Sequence, residues 1–194
     1  RVFMKSLKEL YKIGRGPSSS HTIGPERVAN YALQTRGAGD YTAILYGSLA
    51  LTGKGHGTDR VLKEVLGDHT EIIFDTEKKD LPHPNTLTLF KRENGEKIFV
   101  CTAQSVGGGS VIINGAPYPD TPEIYPQKNF AKIREFIEER NFSIRDYVNF
   151  YEPDVFSHLE TVWRTMKNSV ERGLQKSGVL PGALHLERKA KALY

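Results

Sequence analysis

Apolar residues recur along the chain at two spacings, and the changes between them mark out the elements. Leu7, Leu10 and Tyr11 share one side of a short helix predicted over 5–12. "PERVANYALQTRG" reads as a second helix: Pro25 suits its first turn, Glu26 complements its positive end and Gly37 ends it. "YTAILYG", residues 41–47, is apolar throughout and predicts a buried strand. Val61, Leu62, Val65 and Leu66 form one face of a helix that begins near Asp59, and "TEIIFD" follows as a short strand.

Two strand-like runs in "TLTLFKRENGEKIFVCTAQS" flank Asn94-Gly95, whose tolerance of positive φ predicts a hairpin. "VGGGSVIING" leads into another strand that ends at Asn114-Gly115. "APYPDTPEIYP" holds four prolines in eleven residues and predicts an extended connection. Beyond it, Phe130, Ile133, Phe136 and Ile137 share a helical face, and a short helix follows over 144–150. The strongest helical pattern is "DVFSHLETVWRTMKNSVERGLQKSG", with Val155, Leu159, Val162, Trp163, Met166 and Val170 in phase. Pro153 opens it and Gly178 closes it. Helices and strands mix around a clear hairpin, so the fold class is α+β, a mixed β-sheet with helices packed against it.

Composition narrows the function classes. The 194 residues suffice for one full domain with some chain to spare. The net charge of +4 suggests an anionic partner, but basic residues are scattered among acidic ones, as in "EFIEERNFSIRD". With no Lys/Arg block interleaved with aromatics, no nucleic-acid partner is expected. No run approaches the roughly 18 apolar residues of a membrane span, and the N-terminus lacks an apolar signal core, so the chain reads as cytoplasmic. The single cysteine, Cys101, cannot make an intrachain disulfide, a structural zinc site or a full iron–sulfur ligand set. Its apolar neighbours suggest a small buried core residue.

Four segments could carry chemistry. "GRGPSSSHTIGP" puts Ser18, Ser19, Ser20, His21 and Thr22 just before a helix, where free N–H groups and hydroxyls can receive a carboxylate or phosphate. A capping serine among solvated neighbours explains the same residues. The lysine of a P-loop is absent. "TGKGHGTD" sets Lys54, His56, Thr58 and Asp59 among three glycines, which predicts a loop above the end of a strand. Imidazole suits proton abstraction, which makes His56 a candidate base.

"LPHPNTL" presents His83 and Asn85 from a proline-restricted turn, able either to bond a small ligand or simply to enter a strand. The glycine triplet of "QSVGGGSV" marks a bulge, a tight bend or a close approach. His69, His158 and His185 lack such company and read as structural or surface residues.

In this order, "KIGRGPSSSHTIGP", "LYGSLALTGKGHGTD", "HPN" and "SVGGG" resemble one family, the bacterial iron–sulfur L-serine dehydratases (L-serine ammonia-lyases). The resemblance covers most of residues 5–175 and concerns the family's β domain or subunit. It implies a lyase of amino-acid catabolism that converts L-serine to pyruvate and ammonia with a [4Fe–4S] cluster. In that reading Ser18, Ser19, Ser20, His21 and Thr22 grip the substrate carboxylate, and His56 removes the Cα proton. Lys54, His83 and Asn85 help to hold the substrate. No residue of this chain is assigned to a metal: the cluster cysteines belong to an α portion absent from it.

"VWRTMKNSVERGLQKSGVLPG" resembles the family's link into that α portion. The implied organisation is a β domain over 1–153 and a connecting helix with the start of a linker over 154–194. The implied partners are L-serine, the α portion and a second copy in a homo-oligomer, and the chain alone is expected to be inactive. The family's β domain is also similar to the effector-binding domain of some phosphoglycerate dehydrogenases. The alternative function is therefore a regulatory domain for serine or another small anion.

Overall fold

The computed structural model describes residues 4–119, 123–180 and 185–194. The chain divides into two compact units, residues 14–120 and residues 1–13 with 121–194.

The first unit is a six-stranded mixed sheet with helices on it, in the α+β class expected. Its elements are α1 (Gly24–Arg36), β1 (Asp40–Tyr46), α2 (Gly47–His56), α3 (Thr58–Leu66), β2 (Glu71–Asp75), β3 (Thr86–Glu93), β4 (Glu96–Gly107), β5 (Ser110–Ile113) and β6 (Ala116–Tyr118). The strand order is β2-β1-β3-β4-β5-β6. Only β1 and β2 run parallel, and α2 with α3 supplies the crossover such a pair needs. The remaining neighbours are antiparallel, and β3 to β6 follow one another as hairpins.

Register follows burial. Leu45 pairs with Leu87, Leu89 with Cys101 and Ala103 with Ile113, so alternate positions stack one apolar face. Val28, Ala29 and Ala32 of α1 and Leu49, Leu62 and Leu66 of α2 and α3 close over that face. Cys101 is fully buried there, and burial pushes its thiol up to about 12, as suits a core residue rather than a reactive one.

Asn94 and Gly95 both take positive φ in the β3–β4 turn, as expected of a twisted two-residue hairpin. The glycine triplet proves to be a tight bend: Gly108 and Gly109 turn β4 back into β5 at φ 58° and 73°. The proline-rich connection is not wholly extended coil. Its first residues form β6, tolerable because Pro117 sits on the sheet edge. Residues 120–122 of that connection lie outside the described residues.

The second unit is helical: α4 (Phe130–Arg140), α5 (Ile144–Tyr151), α6 (Val155–Gln175) and α7 (Ala190–Leu193). Tyr125, Ile133 and Tyr147 form its core, with Phe136, Ile137, Val148 and Tyr151 packed around them. The buried carboxylate of Glu152 ties the N-terminal segment in. It accepts from Ser6 Oγ, from Leu7 N at 3.2 Å and from Tyr125 Oη at 2.7 Å. The helix expected over 5–12 shrinks to a 3-10 turn at Leu7–Glu9, capped by Ser6. Its apolar side is not covered, since Leu10 and Tyr11 are exposed, so nothing rewards a longer helix. Of the predicted connection over 154–194, residues 181–184 lie outside the described residues. Among the described residues no helix is long and apolar enough to cross a membrane.

Candidate functional site

The hydroxyl-rich segment is not a loop. Ser19–Ile23 forms a wide, π-type helical turn that runs directly into α1. Ser18 caps it, its Oγ accepting from His21 N at 3.2 Å, which is why the polypeptide can enter helix here. Thr22 is fully buried and donates to the carbonyls of Arg15 and Ser18, tying the turn to the segment before it. Such widened turns put side chains off the regular helical spacing and occur often at functional sites.

The glycine-rich segment is not a loop either, which corrects the placement expected for His56. Gly47–His56 is helix α2, and His56 is its last residue. Glycine's poor helix propensity is overridden because Leu49, Ala50 and Gly53 are buried. Gly57, at φ 78°, then ends α2 and starts α3. On a helix, Ser48, Thr52 and His56 stand four residues apart and share a face. Lys54, two residues before His56, is turned about 200° round the helix from it, so the structure does not bring it to this face.

That face meets the hydroxyl-rich turn. The His21 and His56 rings lie 4.6 Å apart between centroids, tilted by 34°. His21 Nε2 sits 3.2 Å from Ser48 Oγ and 3.0 Å from Thr52 Oγ1. Thr52 spends its own proton on the Ser48 carbonyl at 2.8 Å, so it accepts from His21, which assigns the proton of neutral His21 to Nε2. His21 Nδ1 then accepts from Ser20 Oγ at 3.0 Å, with Ser18 Oγ at 3.4 Å. Thr58 Oγ1 donates to the His21 carbonyl at 2.6 Å. His56 is oriented by its own helix, its Nδ1 donating to the Thr52 carbonyl at 2.9 Å. Neutral His56 is thereby left with a free lone pair on Nε2. Ser19 is exposed.

His83 and Asn85 join from the turn before β3. Ser48 N donates to the Pro84 carbonyl at 2.7 Å, and Asn85 N donates to His83 Nδ1 at 3.0 Å. Asn85 also brackets Ser105 on β4: its carbonyl accepts from Ser105 N at 2.9 Å and its Nδ2 donates to the Ser105 carbonyl at 3.3 Å. Ser105 in turn packs against Gly24 at the start of α1. The four sequence segments therefore close into a ring of contacts: His21 to Ser48, Pro84 to Asn85, Asn85 to Ser105, and Ser105 back to Gly24. Within it, Asn85 Oδ1 and the fully buried Ser105 Oγ have no hydrogen-bond partner. Unmatched polar groups at such a junction are costly unless something else bonds them.

Burial lowers the pKa of His21, with the neighbouring His56 acting in the same direction, while a hydrogen bond to the Ser48 backbone opposes them. The folded pKa thus lies below the ordinary value of 6.5, and the unfolded chain takes up the proton first as pH falls. The neutral-ring contribution to stability is complete above pH 6.5 and is lost as pH drops toward the folded pKa. Urea midpoints of the chain should therefore fall between pH 7.5 and 5.5, and His21→Gln should flatten that fall. An unchanged pH dependence in the variant would show that His21 does not carry it.

Comparison with known proteins follows the same segments. Residues 6–67 match the family model described as serine dehydratase beta chain. L-serine dehydratase of Streptomyces coelicolor is 32% identical over 95% of this chain and 53% of its own length. L-serine dehydratase 2 of Escherichia coli is 30% identical over 98% of the chain and 53% of its length, and the Haemophilus influenzae L-serine dehydratase 26% identical over 98% and 54%. The chain is thus similar to the serine dehydratase beta chain over residues 6–67 and to L-serine dehydratases over nearly all of its length. It spans about half the length of the curated relatives it matches.

Within this site, sequence reasoning named His21, His56 and Asn85 but passed over Ser48, Thr52 and Ser105. The first two were accessible: read as helix, "SLALTGKGH" puts Ser48, Thr52 and His56 on one face. Ser105 carried no such signal, because only the β3–β4 register sets it beside Asn85.

Proposed function

We propose that this chain is the β portion of an L-serine dehydratase, which deaminates L-serine to pyruvate and ammonia together with an α portion. The observation that carries this reading is the His21–His56 pair, with one ring fully bonded and buried and the other holding a free ring nitrogen at the end of a helix. Under this proposal the hydroxyls of Ser18, Ser19 and Ser20 face the substrate carboxylate, while His21, its ring bonded through both nitrogens, and Thr22 hold their turn in place. His56 Nε2 takes the Cα proton. His83 and Asn85 close the substrate side. Lys54 acts only as a diffuse positive charge, since α2 turns it away from His56.

The chain's own residues do not fit a [4Fe–4S] cluster. Cys101 is the single cysteine, buried in β4 with its thiol pKa raised. Among the described residues no group of three or more His, Cys, Asp or Glu could hold a metal ion. The cluster of this proposal therefore belongs to the α portion, toward which residues 154–194 lead from a β domain over 1–153. Dehydration then needs both portions, and the chain alone is inactive.

The test is to combine the chain with a cluster-bearing α portion in the absence of oxygen and to follow pyruvate from L-serine. Pyruvate is expected only from the mixture. Full activity of the α portion alone, with L-serine heat detected by calorimetry on this chain, would replace the proposal with the effector-domain reading.

A further inference from the structure

Pro25 removes a hydrogen-bond donor at the point where the hydroxyl-rich turn enters α1. It stands in the first turn of that helix and has no N–H to give. In a helix that N–H would go to the carbonyl four residues earlier, which belongs to His21. A buried carbonyl deprived of its donor is costly. The His21 carbonyl takes a bond from another element: Thr58 Oγ1 donates to it at 2.6 Å, a close distance for a hydroxyl donor.

Thr58 is fully buried and is the first residue of α3, two residues after His56. Gly57 between them reverses the chain at φ 78°. On the α2 side the hydroxyl is hemmed in by Gly53, where even a Cβ would come within 3.0 Å of Oγ1. The hydroxyl therefore links the backbone of His21 to the chain just beyond His56. Ser48 and Thr52 hold the His21 ring, whereas Thr58 holds its backbone. The ring bonds set where the imidazole points, and the backbone bond sets where the turn itself stands.

We propose that Thr58 is a positioning residue, whose hydroxyl replaces the amide missing at Pro25 and fixes the wide turn against the end of α2. Ser18, Ser19 and Ser20 thereby keep their place beside the His21–His56 pair. Pro25 and Thr58 act as a matched pair: the proline needs the hydroxyl, and the hydroxyl has no task without the proline. The consequence for substrate rests on the dehydratase reading above; the pairing itself does not.

NMR titration of the histidine rings and urea unfolding test the pairing on the chain alone. Thr58→Val keeps the branched shape and removes the donor. It should lower the urea midpoint and raise the His21 titration midpoint toward 6.5, because a loosened turn admits water to the ring. Thr58→Ser should leave that titration where it is in the parent. Pro25→Ala restores an amide at residue 25. In that background Thr58→Val should move either midpoint by no more than about a third of its effect in the parent. If Thr58→Val does not fold, the double variant should recover the fold. Equal effects in both backgrounds, or a double variant no better folded than Thr58→Val, overturn the pairing.

In the enzyme assembled with its α portion, Thr58→Val should raise KM for L-serine about tenfold and lower kcat less than about threefold. The split arises because His56 is oriented by a carbonyl of its own helix. Thr58→Ser should restore KM. An unchanged KM in a Thr58→Val enzyme overturns the positioning role. A parent mixture that makes no pyruvate would sink the dehydratase reading alone, since the two midpoints decide the pairing.

Discussion

Replacing His56 by alanine is expected to lower kcat for pyruvate formation by about 10²–10⁴-fold in the enzyme assembled with its α portion, the range for loss of a positioned acid–base group. The substrate contacts of the proposal lie on other residues, so KM should move only severalfold. The orientation of His56 comes from a backbone carbonyl one helical turn earlier, Thr52 O, which no side-chain substitution removes. Thr52→Val should accordingly leave His56 in place while stripping a contact from His21, and so raise KM more than it lowers kcat. The measurement is steady-state pyruvate formation with matched cluster content. A His56→Ala enzyme within tenfold of the parent in kcat would move the base to another residue.

The largest structural effect is expected at Gly47. Its φ of 52° is costly for any residue with a Cβ, and a Cβ built there comes within 2.5 Å of the Pro84 carbonyl oxygen. The adjacent Ser48 N donates to that same oxygen, so a displaced Pro84 also loosens the joint between α2 and the His83–Asn85 turn. Backbone strain and overpacking together should cost about 2–4 kcal/mol for Gly47→Ala. For a protein of this size that corresponds to a fall of about 5–15 °C in Tm by differential scanning calorimetry.

Gly55, in the last turn of the same helix, is the control. It has ordinary helical φ and open space where a Cβ would stand, so Gly55→Ala should stabilise by about 0.5–1 kcal/mol. Equal effects at the two positions would mean that the joint at Pro84 is not tight.

The contrast between those two glycines shows where sequence reading stops. "TGKGHGTD" looks like a flexible loop by composition, yet only Gly57 needs its freedom at a chain reversal, and Gly53 is small because Thr58 presses on it. The helix forms because Leu49 and Ala50 are buried, which depends on the sheet beneath them and not on local propensity. The error mattered to function: reading loop in place of helix concealed the face shared by Ser48, Thr52 and His56. The same limit applied at Leu10 and Tyr11, where a helical pattern had no surface to bury against.

The sequence by itself determined the α+β class, the Asn94-Gly95 hairpin, the ends of α1, the burial of Cys101 and the segments from which the candidate site is drawn. Each depends on residues close together in the chain, through period, cap or turn. Only the tertiary structure decided that His21 and His56 lie 4.6 Å apart, that His83 and Asn85 join them through Pro84, and that Ser105 lies among them. Those contacts join residues 20 to 36 positions apart in the chain and depend on strand register and on helix-to-sheet packing. No local pattern encodes either.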